Sequence, residues 1–115
     1  MYGKELILDV HDCGIDKFNE LDINKFFIEL CDKIKMVRVQ THWWVDHMSE
    51  EPHLKGVTAV QFIQTSNITI HTLEKLECIY INIFSCKDFD TLAATNFVTD
   101  FFGGIVTNMH IIERD

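Results

Sequence analysis

Two stretches decide the fold: residues 67–72, NITIHT, and residues 78–86, CIYINIFSC. Both alternate apolar and polar with a period of two, the spacing of a strand with one buried face. In the first, Ile68 and Ile70 point one way and Asn67, Thr69 and His71 the other. In the second, Ile79, Ile81 and Ile83 oppose Cys78, Tyr80, Asn82, Phe84 and Cys86. A hairpin across residues 73–77, LEKLE, buries both isoleucine rows together and fixes the pairing to within two-residue steps. His71, Asn82 and Cys86 then share the face turned away from the core, with Ser66 at the mouth of the strand.

The same periodicity extends outward. Residues 4–11, 36–43, 57–64 and 105–113 read as further strands, rich in β-branched and aromatic side chains. Ile23, Phe26, Phe27, Leu30 and Ile34 recur at helical spacing behind Asp22, a suitable N-cap. Asp90 caps a second helix through Phe102, with Ala93, Phe97 and Phe101 on one face and Gly103-Gly104 to stop it. Residues 45–56 form a polar loop. The order β-α-β-β-β-β-α-β predicts an α+β fold: a two-layer α/β sandwich, a mostly antiparallel sheet with two helices on one face.

At 115 residues the chain forms one domain over residues 1–115. With 47% hydrophobic residues and a single Pro it is globular. A net charge of −8 leaves no basic stripe to neutralise phosphates, which argues against nucleic acid and mildly favours a cationic ligand. The N-terminus lacks a signal-peptide pattern, and no apolar run reaches the length of a membrane helix. Cys13, Cys31, Cys78 and Cys86 show no paired spacing. They read as reduced thiols of a cytoplasmic protein, without structural zinc. His42, His47 and His53 are spaced too loosely in and around a loop to argue strongly for a metal.

Ser66, His71 and Cys86 have a chemistry in common. If Ser66 Oγ attacks the carbonyl carbon of Thr65, the peptide becomes an ester through an oxyanion that nearby donors must stabilise. Removal of the Ser66 Cα proton and loss of the Thr65 carboxylate leave dehydroalanine, which hydrolyses to a pyruvoyl group and ammonia. His71 is a suitable base, Thr58 an assisting hydroxyl and Cys86 a proton donor. A pyruvoyl group binds a substrate amine covalently and acts as an electron sink for decarboxylation. Taken singly, each residue has a plainer reading, as a polar strand position or a buried thiol.

TSNITIHT followed by YINIFSC resembles the self-cleavage segment of the small prokaryotic S-adenosylmethionine decarboxylase proenzymes. In that family a Ser-x-x-Thr-x-His-Thr strand precedes one ending in Phe-(Ser/Thr)-Cys. GKELILDVHDC resembles its first strand and KGVTAVQFI the strand before the cleavage site. The resemblance implies a pyruvoyl group derived from Ser66, a processing base at His71, a processing hydroxyl at Thr58 and a catalytic proton donor at Cys86. It also implies cleavage at Thr65-Ser66 into residues 1–65 and 66–115, and a homodimer with active sites near its interface. The implied reaction gives decarboxylated S-adenosylmethionine for spermidine biosynthesis. Two departures stand out. Thr65 replaces the family's Glu, and Leu73-Glu74-Lys75 replaces an aromatic-Pro-Glu run that binds adenosine. Glu74 takes the ribose role in this reading, Trp43 or Trp44 the stacking role, and Asn82 lines the substrate face. The departures also suggest other readings: decarboxylation of arginine or ornithine by the same chemistry, or an uncleaved relative acting as a regulatory partner.

Overall fold

A computed structural model describes residues 2–115. Six strands form one sheet: β1 (Gly3–His11), β2 (Arg38–Asp46), β3 (Gly56–Ile63), β4 (Ser66–Leu73), β5 (Cys78–Ser85) and β6 (Ile105–Arg114). They lie in the order β2-β3-β4-β5-β1-β6, and every neighbouring pair is antiparallel. Helices α1 (Glu20–Lys33) and α2 (Thr91–Phe102) complete the α+β sandwich, and a short 3-10 turn over Ile15–Lys17 leads into α1.

The hairpin pairs as the isoleucine rows require. Ile68 lies opposite Ile83 and Ile70 opposite Ile81, and all four are buried. Leu6, Leu8 and Val10 of β1 continue that layer beneath the helices. The helices seal it with an aromatic cluster, in which the Phe26 ring lies 4.9 Å from Phe102 and 5.7 Å from Phe97. Phe26 and Phe27 expose no surface, and burial of each contributes about 2–3 kcal/mol.

Two element boundaries differ from expectation. Asn19, not Asp22, is the N-cap of α1: its side chain accepts the Asp22 N–H at 2.9 Å. Asp22 serves one turn in, accepting from the Asn19 amide at 2.7 Å. One orphan backbone N–H is satisfied, and the Asn19 side-chain amide and the Asp22 carboxylate hold each other in place. β2 begins at Arg38, not at residue 36, and runs on to Asp46. Met36 turns into the core and its N–H is held by the Cys31 carbonyl at 2.8 Å, so it closes the helix end before the strand starts.

One close approach sets the sheet's geometry near the site. Gly56 has φ +153°, and a Cβ there would fall 1.7 Å from the Thr72 carbonyl oxygen. The buried Thr72 hydroxyl accepts the Val57 N–H at 2.9 Å and donates to the Val57 carbonyl at 3.0 Å. This clamp brings the start of β3 onto β4 and leaves Thr58 directly opposite His71.

Candidate active site

Cross-strand register lays one side chain from every strand along a row on the sheet face opposite the helices. Trp44, Thr58, His71, Tyr80, Asp9 and Asn108 follow one another across β2, β3, β4, β5, β1 and β6.

 

Thr58 Oγ1 and His71 Nδ1 are 3.2 Å apart within this row. The imidazole edge is open to solvent, yet packing around the ring removes enough water to push its pKa below the ordinary imidazole value. A cavity of about 300 Å³ opens beside it, walled by Trp44, Leu54, Thr58, His71, Leu73 and Tyr80. A smaller one of about 120 Å³ lies on the other side of His71 and Tyr80, against Asp9, Thr69 and Asn82.

The sequence candidates divide among these features. Trp44 is 71% exposed on the open face, opposite Thr58. Trp43 faces the other way and packs 6.2 Å from the Phe27 ring on the core side. Asn82 shares the open face with His71 and donates to Glu5 at 2.6 Å, a carboxylate that also accepts from Arg114 at 2.8 Å. Glu74 caps the far end of β4, where Lys55 stands 3.7 Å and His47 3.4 Å from its carboxylate. Its N–H donates to the Lys55 carbonyl at 3.2 Å, and Lys75 pairs with Glu50. Together these contacts strap the loop before β3 beside the larger cavity.

The opposite end of β4 holds the peptide bond of interest. Ser66 Oγ donates to the Thr65 carbonyl oxygen. The Cys86 N–H reaches Ser66 Oγ at 2.9 Å and the Thr65 carbonyl oxygen at 3.5 Å. Thr65 Oγ1 lies 3.2 Å from the hydroxyl of Ser85, and the Cys86 thiol is exposed and reduced.

Ser66 and Cys86 therefore meet, as do His71 and Thr58, with Asn82 beside His71 on the same face, but the two groups stay apart within one chain. Five residues of extended strand separate Ser66 from His71, roughly 16 Å, and the odd spacing turns them to opposite faces. His42 lies against the Phe62 ring, His47 beside Glu74 and His53 beside Glu51, so these three histidines do not converge. Among the described residues no group of three or more His, Cys, Asp or Glu is arranged to hold a metal. Sequence reasoning passed over Tyr80 and Ser85. Tyr80 is legible from the hairpin register, and Ser85 from the hydroxyl it puts in a row of isoleucines.

The family model for S-adenosylmethionine decarboxylase matches residues 4–115. The chain belongs to the S-adenosylmethionine decarboxylase family. Among its relatives in that family is an S-adenosylmethionine decarboxylase proenzyme of Geobacillus kaustophilus. It is 26% identical over 104 residues, covering 88% of this chain and 77% of the relative. A proenzyme of the same name from Bacillus velezensis is 27% identical over 101 residues, covering 85% and 74%. The crystal structure of the adenosylmethionine decarboxylase from Aquifex aeolicus superposes with a TM-score of 0.79 over 98% of this chain and 90% of that one. At 19% identity this likeness establishes the S-adenosylmethionine decarboxylase fold. Among the described residues no helix is long and apolar enough to cross a membrane.

Proposed function

We propose that this chain is the precursor of a pyruvoyl-dependent carboxy-lyase that decarboxylates S-adenosylmethionine to supply spermidine synthesis. The observation that carries the reading is the Cys86 N–H, which spans the nucleophile Ser66 Oγ and the carbonyl oxygen of Thr65. A fixed donor at the oxygen where charge develops is what an acyl shift requires. Ser66 Oγ bonds to the Thr65 carbonyl carbon and passes its proton to a base. The carbon–nitrogen bond then breaks, leaving an ester and a free Ser66 amine. Loss of the Cα proton expels the Thr65 carboxylate, and hydrolysis of the resulting dehydroalanine releases ammonia. The second fragment, residues 66–115, then begins with the pyruvoyl group.

Ser66 and its donor fit that group, whose carbonyl supplies the electron sink for decarboxylation. Cys86, adjoining Ser66 with an exposed thiol, delivers the proton that replaces carbon dioxide. Trp44 and Leu54 provide apolar walls for the adenosyl moiety, with Glu74, next in sequence to the cavity-lining Leu73, for its ribose. The chain's net charge of −8 suits a sulfonium substrate.

The separation of Ser66 from His71 supports a homodimer. Two copies that pack their open faces together bring His71 and Thr58 of one toward the end of the other's sheet where the exposed Cys86 thiol adjoins the Thr65-Ser66 bond. Trp44, Phe62 and Ile112 leave that face 71%, 42% and 41% exposed at their positions, an apolar surface suited to burial.

Intact mass of the freshly purified protein under denaturing conditions tests the reading. Two species divided between Thr65 and Ser66, the second carrying the pyruvoyl end, are expected, with carbon dioxide released from S-adenosylmethionine. One full-length species after prolonged incubation, with no release, would overturn it. Release from arginine or ornithine alone would keep the cofactor and replace the substrate.

A further inference from the structure

Ile79, Ile81 and Ile83 fill the core-facing positions of β5, and the next position in that phase is Ser85, which exposes no surface. A buried hydroxyl is costly unless it is bonded, and the partners of this one surround the bond to be cut. Ser85 Oγ accepts the Lys87 N–H at 2.9 Å and lies 3.2 Å from Thr65 Oγ1, with Met36 Sδ at 3.8 Å. The Lys87 N–H uses the oxygen as acceptor, which leaves the Ser85 proton to donate. Of its two neighbours, the Thr65 hydroxyl is the stronger acceptor and the thioether the weaker. Ser85 also stands opposite Ser66 in the last rung of the β4–β5 ladder. Consecutive residues of β5 thus grip both sides of one peptide bond: Ser85 holds Thr65 by its side chain, and the Cys86 amide holds Ser66.

We infer that Ser85 is a positioning residue for self-cleavage, an inference that rests on the function proposed above. Its hydroxyl holds the β-branched Thr65 side chain in one rotamer. That fixes the Thr65 carbonyl between the attacking Ser66 Oγ and the Cys86 N–H. The pairing gives Thr65 a purpose of its own at a position where the family's pattern has a glutamate. Ser85 acts on the acyl shift and takes no part in elimination.

The experiment follows the appearance of residues 66–115 on a denaturing gel for the wild type, Ser85→Ala, Ser85→Thr, Thr65→Val and the Thr65→Val/Ser85→Ala double variant. Loss of alignment predicts cleavage slowed about ten- to a hundredfold in Ser85→Ala, with Ser85→Thr restoring the wild-type rate. Thr65→Val, changed at an exposed position, slows cleavage comparably, and the double variant is no slower than either single change. Hydroxylamine, which cleaves esters, releases no extra fragment from Ser85→Ala, because the ester has not formed. Wild-type cleavage rate in Ser85→Ala, additive losses in the double variant, or an accumulated hydroxylamine-sensitive ester would each overturn this inference alone. A wild type that never cleaves would overturn the proposed function with it.

Discussion

The two ends of β4 are built from different materials. At the Ser66 end, the contacts run through a main-chain N–H and a fully buried hydroxyl, on the last rung of a regular ladder. At the Leu73 end, past the buried Thr72 clamp, the loop side chains are held by ion pairs, among them Glu74 with Lys55 and Lys75 with Glu50. A backbone donor keeps its place when side chains change, whereas exposed ion pairs are individually weak and screened by salt. Bond-breaking is assigned to the rigid end, and substrate fit to the adaptable one. This division fits a chain that keeps Ser66, His71 and Cys86 at its family's spacing and departs at Thr65 beside the bond and at Leu73-Glu74-Lys75 beside the cavity.

The largest expected effect removes the rigid end's nucleophile. Ser66→Ala yields a single full-length chain on a denaturing gel, with no carbon dioxide released from S-adenosylmethionine. Cys86→Ala separates the two roles of its residue, since the amide stays and the thiol goes. It cleaves, but turnover measured by carbon dioxide release falls about a hundredfold. Wild-type turnover in that variant would remove the thiol from the mechanism.

The pH dependence of cleavage reports on His71. Desolvation lowers its pKa from the usual 6.5, so the neutral imidazole that accepts a proton persists to lower pH than it would in water. The cleavage rate should fall to half of its plateau at a pH below 6.5. A half-point above pH 6.5 would exclude His71 as the base. The sign for stability follows the same shift. The unfolded chain takes up a proton at His71 at higher pH than the folded chain does, so this group's contribution falls as pH drops through 6.5.

Smaller effects belong to the adaptable end. Trp44→Ala should raise KM for S-adenosylmethionine by up to about tenfold while leaving the cleavage rate unchanged. Lys75→Ala, which removes an ion pair with an exposed glutamate, should leave the thermal midpoint within error. A loss of cleavage in either variant would erase the distinction between the two ends.

Much of this fold is legible in the residues. The isoleucine phases of β4 and β5 specify both their pairing and the face that carries His71 and Asn82. Asp90 and Gly103 bracket α2 because a cap and a left-handed stop are local requirements. The start of α1 is less legible: Asn19 and Asp22 are both good caps, and the preceding 3-10 turn decides between them. Alternation puts Trp43 and Trp44 on opposite faces, but only the register with β3 says which one joins His71. The ion pairs of Glu74 depend on a loop path that no periodicity encodes. The five-residue spacing of Ser66 and His71 on one strand is legible in the sequence, and strand geometry alone keeps the two side chains apart within one chain.

The strand order has a further consequence for the order of events. Residues before the Thr65-Ser66 bond supply β1, β2 and β3, and residues after it supply β4, β5 and β6. In the sheet these are interleaved: β2 and β3, then β4 and β5, then β1, then β6. A cut at that bond leaves two fragments joined along three seams, each keeping only one two-strand piece of the sheet. Once they are separated by denaturant, recovery becomes a meeting of two molecules and depends on their concentration. On the proposed cleavage, the intact chain would serve as a single-use assembly aid, and a cleaved enzyme lost to heat would have no unimolecular way back.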